Sequence, residues 1–225
     1  MKKYKNLISS FVIPIGVMFY QFLYFKILYN ILVSLDDVSK SNISSVFKVL
    51  LQYIGSCLPI AVLFIVEYKR VGNDKLYIKF PSKKLWKIVL AIFTIVYLLI
   101  MIYGLYISHD IVKTIFTAVF YLLFISFMEE YTYRSIVPYL QKDHLPQIIE
   151  WLLPNILFSS AHFLMLFVDP TKANGISLAA LLLFFIDTII FGIVMELFKR
   201  RSSSLYIPIL FHAAYDFFME IMLWV

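Results

Sequence analysis

A single cysteine, Cys57, occurs in the whole chain, inside an apolar run. An intrachain disulfide has no second partner, and a cysteine-ligated zinc site has nothing to be built from. Charge is also scarce: 15% of residues are charged, against about 25% in soluble domains. Neither an internal repeat nor a low-complexity tract divides the chain. The His-Glu-x-x-His helix of zinc peptidases is missing. The N-terminus, MKKYKNLISSFVIPIGVMF, has a basic start and an apolar run, but no small-residue cleavage site follows. That segment reads as a first membrane helix rather than a removed signal.

What fills the chain is apolar. Hydrophobic residues make up 62% and aromatic residues 18%, beyond the roughly 45–50% of soluble domains. The chain reads as an all-α, polytopic membrane helix bundle forming one integrated domain. Its net charge of +6 fits loops lying against anionic headgroups. Nucleic-acid binding is not indicated, because no basic stripe sits on a soluble module.

A spanning helix needs about 20 mostly apolar residues. About seven stretches qualify by that length: 7–33, 46–66, 86–107, 111–128 (extendable towards 140), 150–168, 176–198 and 204–225. Ser108-His109-Asp110 joins the third and fourth as a tight external turn. Trp86, Trp151 and Trp224 fall near the expected interfaces. Lysine and arginine gather in the N-tail, in 67–87, in 129–149 and in 199–203. Only Lys40, Lys48, Lys113 and Lys172 are left for the other side, with Lys26 inside the first span. The positive-inside rule then puts the N-terminus in the cytoplasm and the C-terminus outside.

Three of these spans carry polar groups at helical spacing: Glu129, Glu130 and Arg134; His162, one turn after Phe158; and His212 with Asp216. Ionisable groups in a bilayer are costly and normally face a bundle interior, marking a functional site. From the cytoplasmic ends, His162 lies about 18 Å in and His212 about 12 Å in, at ~1.5 Å per residue. The glutamates reach the same level if the fourth helix continues past Arg134, so the site is expected to open inward.

Such a set suits peptide hydrolysis, which needs an activated water and donors for the oxyanion. A buried glutamate can accept the water's proton, and His162 can help orient that water. Glu130 and Arg134 are four apart in the favourable order for an ion pair. His212 can present a donor to the oxyanion, with Asp216 one turn on to orient its ring. Each string alone is ordinary: a terminal Glu-Glu-x-x-x-Arg is common on solvated helices, an isolated membrane histidine often only packs, and Phe158 alone reads as core. Their coincidence at compatible depths points to one site.

Glu129-Glu130-Tyr131-Thr132-Tyr133-Arg134, then Phe158-Ser159-Ser160-Ala161-His162, then His212-Ala213-Ala214-Tyr215-Asp216 resemble, in order, the signature of the CAAX-prenyl-protease and bacteriocin-processing (Abi) family of intramembrane endopeptidases. The match covers the C-terminal part, making 111–225 the catalytic core; 1–110 add membrane helices. The resemblance implies a conical helix bundle whose hydrophilic cavity opens to the cytosol and to lipid. Its substrate would be a membrane-associated peptide or protein, with bacteriocin or signal-peptide processing or self-immunity as the biology.

Carried over, Glu129 is the general base and His162 assists it. His212 and Asp216 line the oxyanion hole, and Glu130 and Arg134 support Glu129. Some members have asparagine at the last position, and an ionised Asp216 cannot donate a hydrogen bond, so orienting His212 suits it better. A metal-free reaction is expected; the alternative is zinc on Glu129, His162 and His212. Asp187, mid-way along the sixth span, is a candidate supporting residue. Asn155, after Pro154, is expected to satisfy freed backbone, and His109 and His144 to be solvated. Two other classes compete. A non-catalytic immunity or binding protein has no need to keep a base and oxyanion donors together. A proton-coupled transporter, with Glu129, His162 and Asp187 as relay, lacks the inverted repeats such folds show.

Overall fold

The computed structural model describes residues 2–39, 58–59, 61–65, 71, 75–165 and 176–224, without the side chains of 2–5, 28–39 and 165. Most of the expected second span, together with Cys57, Lys40, Lys48, Lys69, Arg70 and Lys172, lies outside these residues. Among the described residues every regular element is helical. α1 is Lys2–Ser39, α2 Lys84–Ser108, α3 Ile111–Gln141, α4 Gln147–Met165, α5 Leu178–Ser202 and α6 Tyr206–Met222.

Four described stretches are long and apolar enough to cross a membrane: Asn6–Ile27, α2, α3 and α5. Among the described residues α6 falls short of that standard, although the sequence reads it as a span; α4 is described only as far as Met165. α6 has 17 residues, about 26 Å at ~1.5 Å each, against a hydrocarbon core of about 30 Å. Both helices carry polar groups that turn inward: Asn155, Ser159 and His212 are all buried.

α3 is the axis of the bundle. It continues to Gln141, as its glutamates require to reach the depth of the histidines. It does so with two wide, π-type stretches, Phe120–Ser126 and Tyr131–Ile136. Each closes on an N–H reaching back five residues, Phe127 to Leu122 and Val137 to Thr132. Such stretches are rare and concentrate at functional sites; here they bracket Glu129 and Glu130. Every residue from Glu130 to Val137 is buried.

The neighbours of α3 are fixed by packing. α6 lies against α2 and the first π-type stretch, α4 against α5, and α1 against the end of α3. Gly104 allows the α2–α6 approach, since a Cβ there would sit 2.8 Å from Ile221 Cδ1. At the α2–α3 turn His109 takes a left-handed φ of 51°. Asp110 then caps α3, its side chain accepting the Lys113 N–H at 2.9 Å. Trp224, under Lys113 at 4.1 Å, marks this end, while Trp151, under Arg200 at 4.5 Å, marks the other.

The 199–203 segment reads from sequence as a loop, but α5 runs on to Ser202 and takes Lys199 into the interior. The cause is Pro138, which has no N–H to give the carbonyl of Arg134 four residues earlier. Lys199 Nζ donates to that carbonyl instead, at 2.6 Å, and pairs with Glu196 at 2.8 Å. A buried carbonyl needs a donor from somewhere; here it is a side chain from another helix.

Candidate active site

Glu129 and Glu130 leave α3 in different directions and meet different partners. Glu130 is fully buried. Its Oε1 lies 2.9 Å from His212 Nδ1 and its Oε2 3.6 Å from Arg134 Nε. Arg134 is equally buried, with its guanidinium 4.3 Å from the centre of the Phe158 ring. Phe158 is a platform as well as core: the same ring lies 4.3 Å from His162 and 6.0 Å, edge to face, from His212.

Glu129 is the more accessible carboxylate, its side chain 20% exposed. Its Oε2 stands 3.7 Å from His162 Nε2 and 3.7 Å from His212 Nε2, yet accepts no hydrogen bond. At that separation neither contact is a direct hydrogen bond. His162 Nδ1 is 3.0 Å from the Phe158 carbonyl. A carbonyl only accepts, so this nitrogen carries the proton, and in the neutral ring Nε2 is left as an acceptor. His162 thus turns a lone pair towards Glu129.

The ring of His212 is held from both ends, Nδ1 by Glu130 and Nε2 by Asp216 Oδ2 at 3.2 Å. An imidazolium, with two N–H donors, satisfies both carboxylates at once. This differs from the expectation that Glu130 supports Glu129. Glu130 and Arg134 instead anchor His212, through a contact that joins residues far apart in sequence and that helical spacing does not reveal.

Asp187 is not part of the cluster. It is exposed on α5 and makes no hydrogen bond or ion pair with another described residue. α5 contributes two other positions, both missed by sequence reasoning. Phe191 packs on His212 at 5.0 Å, edge to face. Gly192 makes room for the guanidinium, since a Cβ there would lie 2.8 Å from Arg134 Nη2 and 2.5 Å from Asn155 Oδ1. Asn155 donates to the Trp151 carbonyl at 2.7 Å, one residue past the Glu150 carbonyl that Pro154 leaves without an N–H, so the expected bond to the freed backbone is not the one formed. Its Oδ1 accepts no hydrogen bond and, like Arg134 Nη2, borders the space above Gly192. We expect Gly192→Ala to cost about 1–3 kcal/mol, as overpacking does, read as a lowered unfolding temperature in detergent.

Among the described residues, no group of three or more His, Cys, Asp or Glu is arranged to hold a metal ion.

Residues 111–218 match the family model described as Type II CAAX prenyl endopeptidase Rce1-like. No curated protein and no solved structure matches the chain. The matched stretch holds every residue of the cluster. The family that this stretch matches is one of proteases, and the four long apolar helices mark a multi-pass membrane protein.

Proposed function

From the membership of residues 111–218 in the CAAX prenyl endopeptidase family, we propose that the chain is an intramembrane endopeptidase that splits a peptide bond with a water held between Glu129 and His162. The observation that carries this reading is the Glu129 oxygen that is buried, accepts no hydrogen bond and stands 3.7 Å from two imidazole nitrogens. Two acceptors that far apart suit a water donating to both. Glu129 takes the proton as the water attacks the carbonyl, and His162 holds the water's other hydrogen. As the oxyanion forms, His212 turns its Nε2–H from Asp216 to the developing charge. Glu130 and Arg134 keep the ring in place throughout. Glu129 then hands its proton to the leaving amine, completing the hydrolysis. No step passes through a metal.

The distribution of basic residues supports a cytoplasmic N-terminus by the positive-inside rule, and in that orientation the site would open inward. The substrate is a membrane-associated peptide or protein segment, as bacteriocin or signal-peptide maturation or self-immunity would supply. The test is cleavage of a quenched-peptide library by the detergent-purified protein, with His162→Ala and His212→Ala beside it, with and without chelator. We expect the wild type to cleave, chelator to leave the rate unchanged, and each variant to lose about 10²-fold or more, as removal of a proton-transfer or oxyanion group does. Loss with chelator and recovery with zinc would overturn the metal-free mechanism. No cleavage by folded wild-type protein would leave a binding or immunity protein on the same scaffold.

A further inference from the structure

A polar cavity of about 570 Å³ opens beside residues 75–79, the end of α3 and the basic end of α5. Lys75, Lys79, Lys142, Lys199 and Arg200 line it, against one lining carboxylate, Glu150. Glu196 pairs with both Lys199 and Arg200, so one negative charge is shared between two cations. Glu150 is itself engaged, accepting the Asp143 N–H at 2.9 Å. Lys75 and Lys142 are exposed and have no ion pair among the described residues. The cavity is therefore concave, polar and, over its described lining, net positive.

Its wall is built rather than loose. Leu205 N–H donates to the Tyr77 carbonyl at 2.9 Å, and Ser204 Oγ to that of Lys79 at 2.6 Å. One residue on, the same segment changes character. Phe80 packs on Tyr206 at 5.0 Å and lines an apolar pocket of about 330 Å³ with Leu90, Leu123, Phe127 and Leu210. A cationic cavity and an apolar pocket thus meet along residues 79–80. Basic pockets between membrane helices on the cytoplasmic side recognise lipid phosphates.

We infer that the cavity lined by Lys75, Lys142 and Arg200 is an anion site that takes a phosphate group, with an anionic phospholipid headgroup as the source that a bilayer supplies. The inference does not rest on the peptidase reading, because none of these side chains belongs to the Glu129 cluster.

The test uses the full chain in nanodiscs of neutral phosphatidylcholine doped with phosphatidylglycerol, with lipid retention read by native mass spectrometry. Lys75→Gln/Lys142→Gln is set beside Lys83→Gln/Lys87→Gln, which removes the same charge from exposed lysines outside the cavity. Wild type should retain phosphatidylglycerol preferentially. Each cavity lysine should contribute about fivefold, so the cavity variant should lose about 25-fold, and the control less than about twofold. Binding of inorganic phosphate, lost in the same variant and displacing the lipid, keeps the site and makes free phosphate a second source. Equal losses in both variants, or no preference for phosphatidylglycerol in wild type, would overturn the site.

Discussion

Glu129→Gln should abolish hydrolysis, by about 10³-fold or more, while leaving the protein folded. General bases contribute roughly 10²–10⁴-fold, and glutamine keeps the size of the side chain while removing the basic oxygen pair. Stability should change by less than about 1 kcal/mol, because Glu129 Oε2 has no hydrogen bond to lose. The double variant Glu129→Gln/His162→Ala should be no slower than Glu129→Gln alone, since groups that activate one water act as a unit. Additive losses would mean that the two side chains serve different steps. The measurement is the initial cleavage rate, with the unfolding temperature recorded on the same preparations.

The largest stability effect is expected at Arg134. Arg134→Met leaves the Glu130 carboxylate in the interior without its cation, and breaking a buried pair in this way costs about 3–5 kcal/mol. The loss should appear as a much lower unfolding temperature in detergent. Adding Glu130→Gln should restore at least about 1 kcal/mol, because a neutral amide strands no charge and can still accept the His212 N–H. A double variant as unstable as Arg134→Met would show that the guanidinium acts through Phe158 and the space above Gly192 rather than through Glu130.

Much of the site is written in local spacing. The Glu130–Arg134, Phe158–His162 and His212–Asp216 pairs are each one helical turn apart, and each pair is in contact in the structure. The run of α3 beyond Arg134 follows from the depth its glutamates need. What spacing does not encode is which nitrogen meets which carboxylate. Glu130 and His212 are 82 residues apart, and only the crossing of α3 and α6 makes them partners. Lys199 reads as a loop cation because the carbonyl it serves is freed by Pro138 on a different helix. Asp187 differs: it is exposed on α5, away from the described residues of the cluster. Gly192 gives no signal in sequence at all, because its importance is the absence of a side chain beside Arg134.

The central claim is that a water near Glu129, not a protein nucleophile, attacks the peptide carbonyl. It is tested most directly by a single turnover in heavy-oxygen water, with enzyme in excess over a cleaved peptide. One heavy oxygen in the new C-terminal carboxylate of the first product, with no acyl-enzyme adduct in the intact-protein mass, is the predicted result. An unlabelled first product, or a covalent adduct on Glu129, would contradict it.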